Sequence, residues 1–69
     1  MGQHENALAD YNKVLELAPQ HALAYYNRGS TYAMLGRNEE AIADLERGMA
    51  LDTAGTGHDW ALKILAELQ

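Results

Sequence analysis

The sequence predicts an all-α fold of four helices, arranged as antiparallel hairpins stacked against one another. Two observations carry that prediction. Apolar and small residues recur three and four positions apart in four separate segments, the spacing that gathers them on one face of a helix. Between the segments stand Pro19, Gly36 and the run Thr53-Ala54-Gly55-Thr56-Gly57, residues that end helices or turn the chain.

The first segment reads as a helix from Gln3 to Leu17. Ala7, Tyr11, Val14 and Ala18 fall on one face, with Leu8 and Leu15 alongside. Pro19 closes it, because the residue before a proline disfavours the helical region and the ring cannot continue the ladder. In the second segment Tyr25, Gly29 and Tyr32 line one face. Gly36 stops that helix, since glycine tolerates the left-handed conformation a helix end commonly needs. Asn38 is expected to cap the third helix, with Glu39 and Glu40 placed favourably at the positive end of its dipole. Ala41, Leu45 and Gly48 form its apolar stripe, with Ile42 and Met49 beside them. Gly29 and Ala41 lack the bulk to hold two backbones apart, so these two helices are predicted to close tightly while the tyrosines fill the gaps. Thr56 with Asp59 has the form of a capping-box variant and opens a last helix, Asp59 to Leu68. Trp60, Ile64 and Leu68 line one side of it, next to Ala61 and Leu65.

A shift of 34 residues sets Gly2 on Gly36, Glu5 on Glu39, Ala7 on Ala41, Ala9 on Ala43, Asp10 on Asp44 and Leu17 on Leu51. Coincidence at one fixed period marks a repeat, so the first helix corresponds to the third. With Tyr25, Gly29, Tyr32, Gly36, Ala41, Leu45, Gly48 and Leu51-Asp52 at their offsets, the chain resembles the tetratricopeptide repeat, a helix-turn-helix unit of about 34 residues. Three positions depart from the family pattern: Arg28 where Leu is commonest, Gly48 where Ala is usual, and Thr53 in place of the frequent terminal Pro. Gly48 is expected to weaken its helix by about 1 kcal/mol relative to Ala. The resemblance implies a short α-solenoid in a single domain, 1–69. Residues 3–17 are then the second helix of a partial repeat, 22–53 a complete repeat, and 59–68 a capping helix over the end of the stack.

The family also implies protein binding. Its inner, concave surface comes from the first helix of each repeat, where extended peptides lie. Carried onto this sequence, that face is Leu23, Tyr26, Asn27, Ser30, Ala33 and Met34. Asn27 offers both a donor and an acceptor to a peptide group, and Tyr26 an aromatic platform. Some members bind chaperone C-termini through a clamp of Lys, Asn and Arg spread over three repeats. Here Tyr26 and Ser30 stand where that clamp needs Lys and Asn, which argues against that activity.

A leftover face suggests a rival role. The first helix lacks its own hairpin partner, so Leu8, Tyr11 and Leu15 are expected to have an uncovered side, and Trp60 and Ile64 offer further apolar surface. Two copies covering each other would hide it, making the isolated chain a homo-oligomer. Alternatively the chain is a structural fragment of a longer repeat array.

Composition narrows the rest. Sixty-nine residues allow one domain with a thin core, and with no cysteine neither disulfides nor thiolate metal sites reinforce it. A net charge of −5 argues against nucleic acid, which wants a basic face. Glu5, Asp10, Glu16, Asp44, Glu46 and Asp52 read as a solvated helix surface, and a carboxylate such as Glu5 or Asp44 is the natural partner of Arg28. No apolar run is long enough to span a bilayer, so no membrane partner is expected and the default location is cytoplasmic. His4, His21 and His58 lie far apart near helix starts, without metal-ligand spacing; no metal or other cofactor is expected. No phosphate loop or activated nucleophile is visible, and the chain is not expected to be an enzyme.

Overall fold

In a computed structural model, which describes residues 2–69, the chain forms four helices: α1 (Gln3–Leu17), α2 (Ala22–Met34), α3 (Asn38–Leu51) and α4 (His58–Leu68). No strand occurs among the described residues. The helices pack as a short solenoid. α2 and α3 share the most extensive interface, α1 lies on α2 alone, and α4 covers α3 while touching one edge of α2.

The reversal between α2 and α3 depends on Gly36, whose φ of 78° places it in the left-handed region. The Arg37 N–H donates to the Tyr32 carbonyl at 2.9 Å and the Gly36 N–H to the Ala33 carbonyl at 3.1 Å. This pair of bonds is the Schellman arrangement, and it satisfies carbonyls that the end of α2 would otherwise leave open. So short a turn feeds directly into α3. Asn38 is therefore the first helical residue rather than a cap, and Arg37 before it contributes no side-chain cap bond. The cap expected of Asn38 is absent because the turn has no residue to spare for it.

The hairpin closes through small residues. A Cβ on Gly29 would come within 2.9 Å of Leu45 Cγ and 3.1 Å of the Ala41 carbonyl oxygen, so the two backbones approach as closely as the sequence predicts. Ala41 and Leu45 are wholly buried beneath α2. Tyr26, Leu45, Ala61 and Leu65 make the central cluster, with Ile42, Met49, Ile64 and Leu68 packed against it.

Two groups of residues differ from expectation. Leu8 and Leu15 are buried, not open, because α1 turns this pair toward α2. The apolar residues that α1 does expose are Val14 and Leu17, and Tyr11 is half-buried. Asp44 and Asp52 are also buried, rather than solvated. Asp44 takes the Arg28 guanidinium in a bidentate pair, Nε to Oδ2 at 2.7 Å and the second nitrogen to Oδ1 at 2.9 Å. The third arm of Arg28 donates to Asn12 Oδ1 at 2.9 Å. One side chain from α2 thus holds α1 and α3 together, and its guanidinium carbon lies 5.5 and 5.9 Å from the rings of Tyr25 and Tyr32. Charge-assisted, forked bonds of this kind are the strong ones, and Asp44 raises the Arg28 pKa above its ordinary value.

Candidate functional site

The outward face of α2 carries Leu23, Asn27, Ser30 and Met34, spaced so that they form one stripe along the helix. Leu23 and Met34 are exposed at 58% and 64%, which leaves free apolar surface at both ends of the stripe. Asn27 and Ser30 between them are half-buried. The Asn27 carbonyl accepts from Thr31 Oγ1 at 2.9 Å, while its side-chain amide has no partner among the described residues. An amide so placed can both donate to and accept from a peptide backbone.

Tyr26 is placed differently from the others. It is 3% exposed and belongs to the core, so it forms no open aromatic platform. The cause lies in three neighbours. Gly48 and Gly57 leave room for its ring, such that a Cβ on Gly48 would fall 2.7 Å from Tyr26 Cδ1. Asp52 then receives its hydroxyl at 2.9 Å. Burial, followed by that bond, pushes the Tyr26 pKa up to about 12.

Asp52 organises the junction between α3 and α4. Its Oδ2 accepts the Gly57 N–H at 2.9 Å together with the Tyr26 hydroxyl, and its Oδ1 accepts the Gly55 N–H at 3.1 Å. Thr56 stands 3.5 Å from the same carboxylate instead of capping α4, so the carboxylate at the end of α3 takes the role expected of the Thr56-Asp59 pair. These donors, Gly57 foremost and Tyr26 next, hold the Asp52 carboxyl below the usual carboxylate range. The α4 helix accordingly starts at His58, one residue earlier than the sequence suggests, and His58 Nε2 lies 3.0 Å from the Met49 carbonyl. His21 also serves a structural end: its Nδ1 accepts the Ala24 N–H at the start of α2.

Between α2 and α4 the surface sinks into a depression of about 360 Å³, lined by Leu23, Tyr26, Asp52, Thr56, Gly57 and Trp60. Trp60 is 42% exposed, and its ring meets Tyr26 edge to face at 5.9 Å between centroids. This brings two groups of expected residues together: Leu23 and Tyr26 from the concave-face set share one hollow with Trp60. Asn27, Ser30 and Met34 continue the same face along α2. Tyr11 lies apart on α1, Leu8 and Leu15 are inside, and Ile64 packs against the core. Sequence reasoning did not single out Asp52 and Gly57, which line this hollow. The signal available was the coincidence of a carboxylate at a helix end with glycines three and five residues on.

Among the described residues no group of three or more His, Cys, Asp or Glu side chains is placed to hold a metal ion. No helix is long and apolar enough to cross a membrane.

Comparison with known proteins matches a TPR repeat model to residues 1–36 and a Tetratricopeptide repeat model to residues 22–52. The chain is 39% identical over 67 residues to Tetratricopeptide repeat protein 14 of Mus musculus, covering 97% of the chain and 8% of that protein. It is 42% identical over 52 residues to an FK506-binding protein-like protein of Homo sapiens, covering 75% of the chain and 15% of the relative. To the Hsp70-Hsp90 organizing protein of Triticum aestivum it is 38% identical over 55 residues, covering 80% and 10% respectively. The chain therefore spans only a small part of the length of each of these relatives. No solved structure gives a significant match.

Proposed function

The chain belongs to the tetratricopeptide repeat family, and on that premise we propose that it is a protein-interaction module whose α2 face, continued by the edge of α4, binds an extended peptide segment of a partner protein. The observation carrying this reading is the exposed stripe of Leu23, Asn27, Ser30 and Met34 opening at one end onto the hollow beside Trp60. Apolar anchors at both ends with an unengaged amide between them suit a strand of peptide, whose side chains seek pockets while its backbone seeks hydrogen bonds. The face is unsuited to a carboxylate clamp. Tyr26 is buried and bonded to Asp52, Ser30 is uncharged, and Arg28 is engaged by Asp44 and Asn12. One relative is named for organising Hsp70 and Hsp90; the reading here is a module of the same family with a different ligand chemistry.

Replacing Leu23 and Asn27 by Ala tests the proposal. Capture of a cross-linked partner should fall at least about tenfold relative to the parent chain while the helical circular-dichroism signal is kept, because both side chains stand outside the core. Undiminished capture by the folded variant contradicts it.

Self-association is a second reading, favoured by α1. Leu17 is 81% exposed and Val14 36%, on a helix that has a neighbour on one side only. Leu17→Asp together with Val14→Asp should dissociate an oligomer seen by sedimentation. A chain that sediments as a monomer at high protein concentration rules this reading out.

A further inference from the structure

We propose that the depression between α2 and α4 receives a basic side chain, arginine or lysine, of the bound partner; the proposal rests on the peptide-binding reading and names the chemistry of one subsite within it. The hollow has apolar walls, Leu23 and the indole of Trp60, above a floor whose ionisable side chains are Asp52 and the buried phenol of Tyr26. A carboxylate presents about four acceptor directions. Gly57, Tyr26 and Gly55 take three within 3.1 Å, and the Thr56 hydroxyl makes a long fourth contact, 3.5 Å from each oxygen. That fourth contact is the weak one, and it is the direction an incoming charged donor would take over from Thr56.

The charges of the molecule point the same way. Arg28 is bound to Asp44 and Asn12, Arg37 to Glu40, and Lys13, Arg47 and Lys63 do not line the hollow. An anionic side chain entering there would meet a carboxylate and no cation. A basic side chain meets complementary groups along its length: its methylene stem lies against Leu23, and its charged head reaches the Trp60 indole and Asp52. The chain as a whole carries −5. Leucine would fill the walls and leave Asp52 with only its long contact to Thr56 in the fourth direction.

Trp60 is the single tryptophan, so its emission reports occupancy of this hollow directly. Three otherwise identical short Ala-Ser peptides, with a central Arg, Leu or Glu, are titrated into the intact chain while Trp60 fluorescence and backbone amide shifts are followed. The Arg peptide should bind at least about tenfold more tightly than the other two, moving the Leu23, Gly57 and Trp60 amides. Raising the ionic strength to about 1 M should weaken it several-fold. Trp60→Leu keeps an apolar wall but removes the aromatic face, and should lower the affinity for labelled Arg peptide by about three- to tenfold. Equal or tighter binding of the Leu or Glu peptide overturns the proposal, as does Arg-peptide binding that moves amides elsewhere, or no binding by any of the three. If the Leu peptide wins while the Leu23, Asn27, Ser30 and Met34 amides move, the subsite chemistry is wrong and the binding face stands. If binding of any peptide leaves that face unperturbed, both fail.

Discussion

α1 and α3 are the same helix written twice, and the molecule treats them differently. Ala41 and Leu45 of α3 are wholly buried, whereas their counterparts Ala7 and Tyr11 of α1 are half-buried. Asp44 is buried in a forked pair with Arg28, and its counterpart Asp10 is exposed. Gly48 accommodates the Tyr26 ring, where Val14 of α1 stands open. Asp52 binds Tyr26 and the start of α4, and the corresponding residue is Ala18. The pattern of a repeat specifies which face a helix offers; whether that face is buried depends on the neighbour that arrives. α3 has its hairpin partner in α2 and a cover in α4, while α1 touches α2 alone.

The sharpest way to break this comparison is paired truncation. Leu45→Ala should cost about 3 kcal/mol, a large share of the ~5 kcal/mol typical of so small a domain, and Tyr11→Ala about 1 kcal/mol, both read from urea unfolding. Equal losses would mean that α1 is packed as fully as α3. Next in size is the ion pair. Asp44→Asn leaves the half-buried Arg28 without its charged partner and should cost about 2 kcal/mol, while Asp10→Asn stays within about 0.5 kcal/mol of the parent.

A smaller effect with a diagnostic sign comes from Gly48→Ala. Helix propensity alone favours Ala by about 1 kcal/mol, the expectation drawn from sequence. Displacing the Tyr26 ring costs about 1–3 kcal/mol, so the net change should be a loss of about 1 kcal/mol. At Val14, which is exposed, Ala should be close to neutral. The smallest effects are those of pH. The Tyr26 pKa is raised to about 12, so its contribution is whole below pH 10 and is lost as pH climbs from 10 towards 12. Asp52 is shifted the other way, so its contribution is whole above the ordinary carboxylate pKa and is lost as pH falls through its own lower value. Tyr26→Phe should flatten the alkaline fall in a stability–pH profile, and an unchanged profile would sever Tyr26 from it.

The helices and the reversal at Gly36 were legible in the sequence because periodicity and punctuation are local signals. The hairpin's close approach was legible too, since Gly29 and Ala41 are small wherever they are read. What escaped was pairwise and distant. That Tyr26 turns inward required knowing that Gly48 and Gly57 both leave room for its ring and that Asp52 waits for its hydroxyl, residues up to 31 positions away along the chain. The burial of Leu8 and Leu15, and the exposure of Val14 and Leu17, depend on which side of α1 meets α2, a choice that both stripes of an amphipathic helix allow. The concave-face stripe was placed by resemblance, and in the structure Leu23, Asn27, Ser30 and Met34 share a face while Tyr26 leaves it for the core.

Native-state amide hydrogen exchange, followed residue by residue, tests most directly whether neighbours rather than pattern decide burial. The amides of Leu45 and Gly48 should open only with global unfolding, and those of Tyr11 and Val14 by local release of α1 at a lower free energy. If the amides of α1 and α3 exchange with one common free energy, the two helices are held alike and the account is contradicted.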